Sequence, residues 1–267
     1  MIIEFLGTGT SHGIPVVGCA CPVCTSTDTR DQRYRASLLV RGNTGETLII
    51  DTGPEFRLQA IRSKLHKLDA IFLTHAHADH LHGLDDVRPL SCHTPLPVYG
   101  NKPTIDEMKA RFSYVFRETQ IGGGKPQLQP TIVETDGAGI ESIRIGSLLI
   151  TPVPVFHGRL PILGWLVEEG PARVAYLTDV SEIPHTSLQL LQNLDILVIG
   201  ALRKRPHPTH FSFDQALELI QRVQPRQGLL THLCHDFSHQ EVCRYIEKQN
   251  ISLERVSPAY DGLTVQM

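Results

Sequence analysis

No stretch of this chain approaches the ~20 consecutive apolar residues of a membrane span, and no basic segment with a cleavage-like run opens it. The first residues, Met1-Ile2-Ile3-Glu4-Phe5-Leu6-Gly7, read as a strand rather than a signal peptide. A cytoplasmic protein without a membrane partner is therefore expected. Excess positive charge is lacking too. The formal net charge is −3, which exerts no global pull on nucleic acid, so no nucleic-acid polymer is expected as a partner. There is no short-period repeat, low-complexity tract or obvious linker, and 267 residues suit a single domain spanning 1–267. Against this ordinary background the 14 histidines and 6 cysteines stand out. In a reducing compartment, clustered cysteines more often mean metal than disulfide.

Short apolar runs alternate with helical patterns along the chain. Ile2 to Leu6, Ser37 to Val40, Thr47 to Ile50, Ala70 to Leu73, Pro97 to Tyr99 and Asp195 to Ile199 read as strands. Ile143 to Val155 reads as a hairpin turning at Gly146-Ser147, and Ile162 to Glu168 pairs with Arg173 to Leu177. Helices are expected from Pro54 to about Ser63, over Gly83 to Arg88, Thr104 to Phe112 and Leu188 to Leu191, and from Phe213 to Val223. Ser238 to Gln249 carries the capping-box pattern of Ser followed three residues on by Glu. Ile121 to Pro130, rich in Gly and Pro, reads as a loop, and the tail from Leu253 as short strands. The pattern predicts an α/β domain.

Chemistry concentrates at the ends of these strands. Ala70-Ile71-Phe72-Leu73 runs into His75-Ala76-His77-Ala78-Asp79-His80, where three imidazoles and a carboxylate share six positions. Such N and O ligands suit Zn, Mn or Fe, and an Asp beside a metal can orient an attacking water. Val153 to Phe156 leads into His157, Tyr176-Leu177-Thr178 into Asp179, and Leu229-Leu230-Thr231 into His232. Each alone is weak; together they form a set able to converge at one sheet edge.

His-x-His-x-Asp-His after a strand closely resembles the metallo-β-lactamase fold hydrolases. The resemblance implies a four-layer αβ/βα sandwich with two divalent ions, Zn or Mn, between the sheet edges. It implies that His75, His77 and His157 bind one ion, that Asp79, His80 and His232 bind the other, and that Asp179 bridges them. Such ions, roughly 3.5–4 Å apart, clamp a phosphoryl centre and lower the pKa of a bridging water. Asp51, in Ile50-Asp51-Thr52-Gly53, resembles the family's strand-end Asp. Its expected role is to accept a hydrogen bond from a ligand His, although an Asp at a helix start fits the same residues. His82 matches no family ligand and reads as structural or exposed.

Cys19-Ala20-Cys21-Pro22-Val23-Cys24 places three thiols in six residues, within a loop at about 18–25. Thiolates at about 2.3 Å can wrap one Zn²⁺ and leave it one ligand short. Cys234 and His235, in His232-Leu233-Cys234-His235, both compete for the fourth place. Cys-x-Cys-x-x-Cys with a downstream His-x-x-His looks like the family's cyclic phosphodiesterase branch, whose named member is the phosphoribosyl 1,2-cyclic phosphate phosphodiesterase of carbon–phosphorus lyase pathways. That resemblance favours His235 and implies a structural zinc held by Cys19, Cys21, Cys24 and His235. Cys92 and Cys243 lie outside any cluster and read as ordinary buried residues.

Arg203 to Phe213 is a basic loop entering a helix, and it resembles the family's general-acid segment. His210 is expected to protonate a departing alkoxide, as a His titrating near neutrality can. His207 is the alternative acid, otherwise placed just outside the ligands, and Asp79 shares proton handling. Arg203, Lys204 and Arg205 could attract a phosphate, and His12 could approach the pocket. The glycines around His12 mark a tight loop, because the Walker spacing and its Lys are absent. The resemblance thus implies a binuclear-metal phosphodiesterase acting on a small cyclic phosphate, ribosyl 1,2-cyclic or nucleoside 2′,3′-cyclic. A bridging hydroxide would attack phosphorus while His210 serves as acid, and a homodimer is implied. A transfer-RNA 3′-processing endonuclease of the same fold is the alternative. Its protruding arm follows the third metal motif, however, whereas Gly122-Gly123-Gly124-Lys125-Pro126 here precedes His157. A β-lactamase or thioesterase fits the acid segment less well. A non-catalytic metal-binding scaffold would be signalled by a lost ligand, and every ligand position is filled.

Overall fold

The computed structural model describes residues 1–92, 94–118, 124–135 and 140–267. The first sheet holds β1 (Ile2–Gly7), β2 (Ser37–Arg41), β3 (Thr47–Ile50), β4 (Ala70–Phe72), β5 (Leu96–Gly100) and β6 (Leu128–Ile132). The second holds β7 (Ile143–Ile145), β8 (Leu148–His157), β9 (Leu160–Glu169), β10 (Ala172–Leu177), β11 (Ile196–Gly200), β12 (Gln227–Thr231) and β13 (Val256–Pro258). The last strand, β14 (Thr264–Gln266), returns to the first sheet, whose order is β14-β1-β2-β3-β4-β5-β6; the second runs β13-β12-β11-β10-β9-β8-β7.

Each sheet is half antiparallel and half parallel. β3 to β6 run parallel in one, and β10 to β13 in the other. Parallel strands need crossovers, and helices supply most of them. The helices are α1 (Phe56–Arg62), α2 (Ala78–Leu81), α3 (Lys102–Arg111), α4 (Ser113–Phe116), α5 (His185–Leu190), α6 (Phe213–Val223) and α7 (His239–Lys248). α6 and α7 both start in capping boxes, Ser212 with Gln215 and Ser238 with Glu241, so their first amide donors are satisfied locally.

Three apolar layers hold the assembly together. Phe5, Leu38, Ile50 and Phe72 of the first sheet meet Trp165, Val167, Tyr176 and Val198 of the second, all buried. α1 and α3 cover the outer face of the first sheet through Phe56, Ile105 and Met108. α6 and α7 cover the second through Phe213, Ile220, Val242 and Ile246. The result is the four-layer αβ/βα sandwich. Among the described residues no helix is long and apolar enough to cross a membrane.

Two local expectations need correction. Residues 128–130, assigned to a loop, belong to β6, which among the described residues pairs only with β5. An edge strand tolerates Pro130, whose missing N–H faces no partner strand; residues 121–123 of that loop lie outside the described residues. The turn after His75 contains a helix, α2, that carries Asp79 and His80. Its seat is made by glycine: a Cβ on Gly83 would stand 2.0 Å from the Gly53 carbonyl oxygen. Thr52 N–H donates to the His80 carbonyl and Gly83 N–H to that of Thr52, both at 2.8 Å.

Candidate metal centre

The carboxyl ends of β3, β4, β8, β10 and β12 open on one edge, where the strands give way to Asp51, Thr74-His75, His157, Asp179 and His232. Three of these residues adopt left-handed backbone: Asp51 (φ 64), Asp179 (φ 55) and His232 (φ 56). For residues other than Gly this conformation is costly, so surrounding structure must hold it. The sharp turn it makes at the strand end brings the side chain back over the sheet edge.

Two clusters form there, each with its ligand atoms within 4.8 Å of one another: His75, His77 and His157, and Asp79, His80, Asp179 and His232. Asp179 also groups with His157 and His210, so it lies between the two. His75 Nε2 and His77 Nδ1 are 2.9 Å apart. His80 Nε2 lies 3.2 Å from Asp79 Oδ2 and 3.3 Å from Asp179 Oδ1, and His232 Nε2 lies 3.4 Å from the same Asp179 oxygen. Ligand bonds of about 2.0–2.1 Å give edges of about 2.9 Å at right angles and about 3.4 Å in a tetrahedron, so the spacing fits divalent ions. Among the described residues His80 Nε2 and His232 Nε2 are buried without a hydrogen bond, as nitrogens facing a cation would be.

Neighbours fix which nitrogen faces inward. Asp51 is fully buried and accepts from Thr74 N–H and Thr74 Oγ1, each at 2.8 Å, and from His80 Nδ1 at 2.7 Å. With its proton spent on Asp51, Thr74 Oγ1 accepts from His75 Nδ1 at 3.0 Å. The Thr209 carbonyl accepts from His157 Nδ1 at 2.8 Å. Each of these rings therefore turns its Nε2 to the centre, the nitrogen that is free of hydrogen once a cation takes the proton's place. Sequence reasoning missed Thr74 and Thr209, although Thr74 directly precedes the motif.

The carboxylates make the centre strongly cation-seeking. Burial opposes charge on His80, but Asp179, Asp79 and Asp51 outweigh it and raise its pKa well above the ordinary value. Burial likewise opposes ionisation of Asp179, yet His232 and His80 hold it well below the usual carboxylate range. Divalent ions would satisfy the same demand.

His210 stands beside the clusters, its Nδ1 3.9 Å from Asp179 Oδ2 and, among the described residues, free of hydrogen bonds. Its ring lies 4.6 Å from that of His157, 4.8 Å from His232 and 5.1 Å from His207. Burial, then the neighbouring His232, push it down to about 3, so titration near neutrality is not a property of the protein alone. His207 reaches Thr209 Oγ1 at 3.1 Å and belongs to neither cluster. His12 and His82 are exposed, and His82 caps α2.

The cysteines form a separate group. Cys19, Cys21 and Cys24 place their sulfurs 3.5, 3.5 and 3.4 Å from His235 Nδ1. A tetrahedron with Zn–S arms of about 2.3 Å and a Zn–N arm of about 2.05 Å has an S–N edge of about 3.6 Å, so a zinc ion fits. A backbone N–H from Cys24, reinforced by His235, lowers the Cys21 pKa to about 6 against the effect of burial. Cys234 stays outside the group and accepts from Asp236 N–H at 3.4 Å. Cys92 is exposed and Cys243 half-buried, so neither is the buried residue expected. Arg33, unmarked in the sequence, is fully buried and ties this loop to the His232 turn, donating to the carbonyls of Cys234 (2.6 Å) and Phe237 (3.0 Å).

Residues 46–233 match the model of the β-lactamase superfamily domain. A diphosphatase from the PhnP family superposes with a TM-score of 0.87 at 38% identity, covering 100% of this chain and 97% of that one. An octanoyltransferase of Porphyromonas gingivalis is 38% identical over 260 residues. The match takes in 97% of this chain but 50% of that protein, so the chain spans about half the length of this curated relative. Human tRNase Z, short form, shares the fold at 20% identity, with a TM-score of 0.70 and coverage of 100% and 99%.

Proposed function

The chain belongs to the β-lactamase superfamily of metal-dependent hydrolases, in its PhnP-like branch, and on that premise we propose that it is a binuclear-metal phosphodiesterase acting on a small cyclic phosphate. The observation that carries the proposal is the pair of ligand clusters meeting at Asp179 with His210 alongside. His75, His77 and His157 would hold one ion and Asp79, His80 and His232 the other, with Asp179 shared. When bound, such ions activate water and neutralise phosphoryl charge. His/Asp sites accept zinc and manganese alike, so both ions are loaded in the test below.

The chain's own groups do the rest. Asp51, Thr74 and the Thr209 carbonyl hold three ligand rings in the required tautomer. His210 hands a proton to the sugar oxygen that leaves phosphorus, so the ring opens to a monoester and the charge on that oxygen is quenched. A neutral His cannot do this; Asp179 and the charge developing on the leaving oxygen favour the imidazolium against the burial that pushes His210 down. Zinc at Cys19, Cys21, Cys24 and His235 would be structural, and a homodimer belongs to the same proposal, tested by sedimentation.

Cleavage of a diphosphate bond is the second candidate, favoured by the similarity to the PhnP-family diphosphatase. Phosphorus NMR separates the two. Zn- or Mn-loaded protein is given 5-phosphoribosyl 1,2-cyclic phosphate, 2′,3′-cyclic AMP, an alkyl diphosphate and 3′-extended transfer RNA in parallel. Opening of the ribosyl ring to one monoester is expected. An inert ring with a cleaved diphosphate or RNA overturns the cyclic-phosphate assignment.

A further inference from the structure

A cation stands at the rim of the metal centre without a place in the chemistry so far. Arg35 lies just before β2, and its neighbours clamp it. Nε donates to the Ser11 carbonyl at 3.0 Å, Nη1 pairs with Glu55, and the Arg35 backbone N–H also donates to Glu55 at 3.3 Å. Gly13, at φ 63, lets the loop fold around the guanidinium; a Cβ there would stand 3.3 Å from Nη1. The side chain is still 25% exposed, and among the described residues Nη2 has no hydrogen-bond or ion-pair partner.

The position is set by the centre itself. Gly53 separates Arg35 from α2: a Cβ on Gly53 would lie 2.3 Å from the Asp79 carbonyl oxygen and 3.0 Å from Arg35 Cβ. Asp79 is close enough to act electrostatically on the guanidinium, against the larger effect of burial. Gly9 pairs with Arg35 on one side and with Leu233, next to His232, on the other. The Gly9–Gly13 loop thus borders both Arg35 and the His232 turn. In the basic loop, Lys204 lies over the Tyr245 ring at 5.5 Å and Arg205 approaches Asp236 at 3.6 Å.

We infer that Arg35, backed by Glu55 and the Ser11–Gly13 loop, is a specificity-determining anion subsite that grips a substrate phosphate other than the one attacked. A planar guanidinium fixed through Nε and Nη1 is pre-organised to grip a phosphate with its remaining donors. Glu55 fixes the fork and limits binding of stray monoanions, so a dianionic group at a defined distance is selected. The inference rests on the phosphodiesterase proposal for its substrate class. Its ligand is either the far phosphate of a diphosphate or the 5-phosphate of a sugar.

The test uses metal-loaded wild-type protein, Arg35→Ala and Arg35→Lys, with two readouts. Steady-state kinetics compare 5-phosphoribosyl 1,2-cyclic phosphate with ribosyl 1,2-cyclic phosphate, and a terminal diphosphate ester with its monophosphate diester counterpart. Titration calorimetry compares diphosphate with orthophosphate. Arg35→Ala should remove the wild-type preference for the second phosphate, a loss of roughly 10- to 100-fold falling on KM and on diphosphate affinity. Arg35→Lys should restore part of it. The substrate pair that shows the effect identifies the source of the phosphate. Equal weakening of both members of each pair, or no weakening, overturns the subsite while leaving the phosphodiesterase proposal standing. Selective loss of diphosphate binding in a protein inert toward every phosphodiester does the reverse.

Discussion

Asp51→Asn isolates what one buried carboxylate does for the metal centre. Asn has nearly the same shape and is among the residues most tolerant of left-handed backbone, so the turn at φ 64 is kept. What changes is the hydrogen-bond ledger. Asp51 Oδ1 accepts from Thr74 N–H, while Oδ2 accepts from Thr74 Oγ1 and His80 Nδ1. Whichever way the amide turns, its NH₂ group meets at least one of these donors. A buried donor left facing a donor costs about 1–3 kcal/mol. His80 can relieve the clash by moving its proton to Nε2, but that puts hydrogen where a metal must bind. Burial also raises the pKa of Asp51 against the pull of His80 and Thr74, so removing its charge relieves some strain in the metal-free protein. The substitution should therefore spare metal-free stability more than metal affinity. Loss of a hydrogen-bond partner to a ligand His weakens binding roughly 10- to 100-fold, about 1.4–2.7 kcal/mol at 1.36 kcal/mol per decade. Chelator competition with elemental analysis is the assay. The Asp79–His80–Asp179–His232 site should weaken and the cysteine site should not. Wild-type affinity at all sites would refute the assignment of Asp51.

Cys21→Ser should lower metal content from about three ions per chain to about two, sparing the active pair, as read by elemental analysis. His210→Ala should keep its metals but reduce turnover by roughly 10²–10⁴; full activity would remove His210 from the acid role. His239 supplies a pH test away from the centre, because burial, then Arg30 and Arg33, hold it down at about 4. The unfolded chain titrates near about 6.5, so it binds the extra proton first. Stability should fall as pH drops from about 6.5 toward 4. His239→Phe should flatten the fall in urea midpoint over that window, and an unchanged profile would clear His239 of the effect.

Most of the fold could be read from local pattern. β3, β4, β10 and β12 are short apolar runs closed by polar turns, and the Ser238–Glu241 capping box marks the start of α7. β6 escaped because a strand containing Pro130 looks like a loop until β5 is seen beside it. The Asp79–His80 helix escaped because Ala78–Leu81 is too short to show a period.

The sequence alone determined residue type and chain position: imidazoles, carboxylates and thiols at strand ends and in one loop, set by spacings of a few residues. Tertiary structure decided which of them meet. Asp179 faces both His80 and His232 because the two sheets bring their carboxyl edges together. Thr209, Arg33 and Arg35 gain their roles from partners distant in the chain, and Thr74 orients its neighbour His75 only because distant Asp51 takes its hydroxyl proton, which no local spacing encodes. The downward shift of His210 belongs to the same class, since desolvation sums over every element packed around a group.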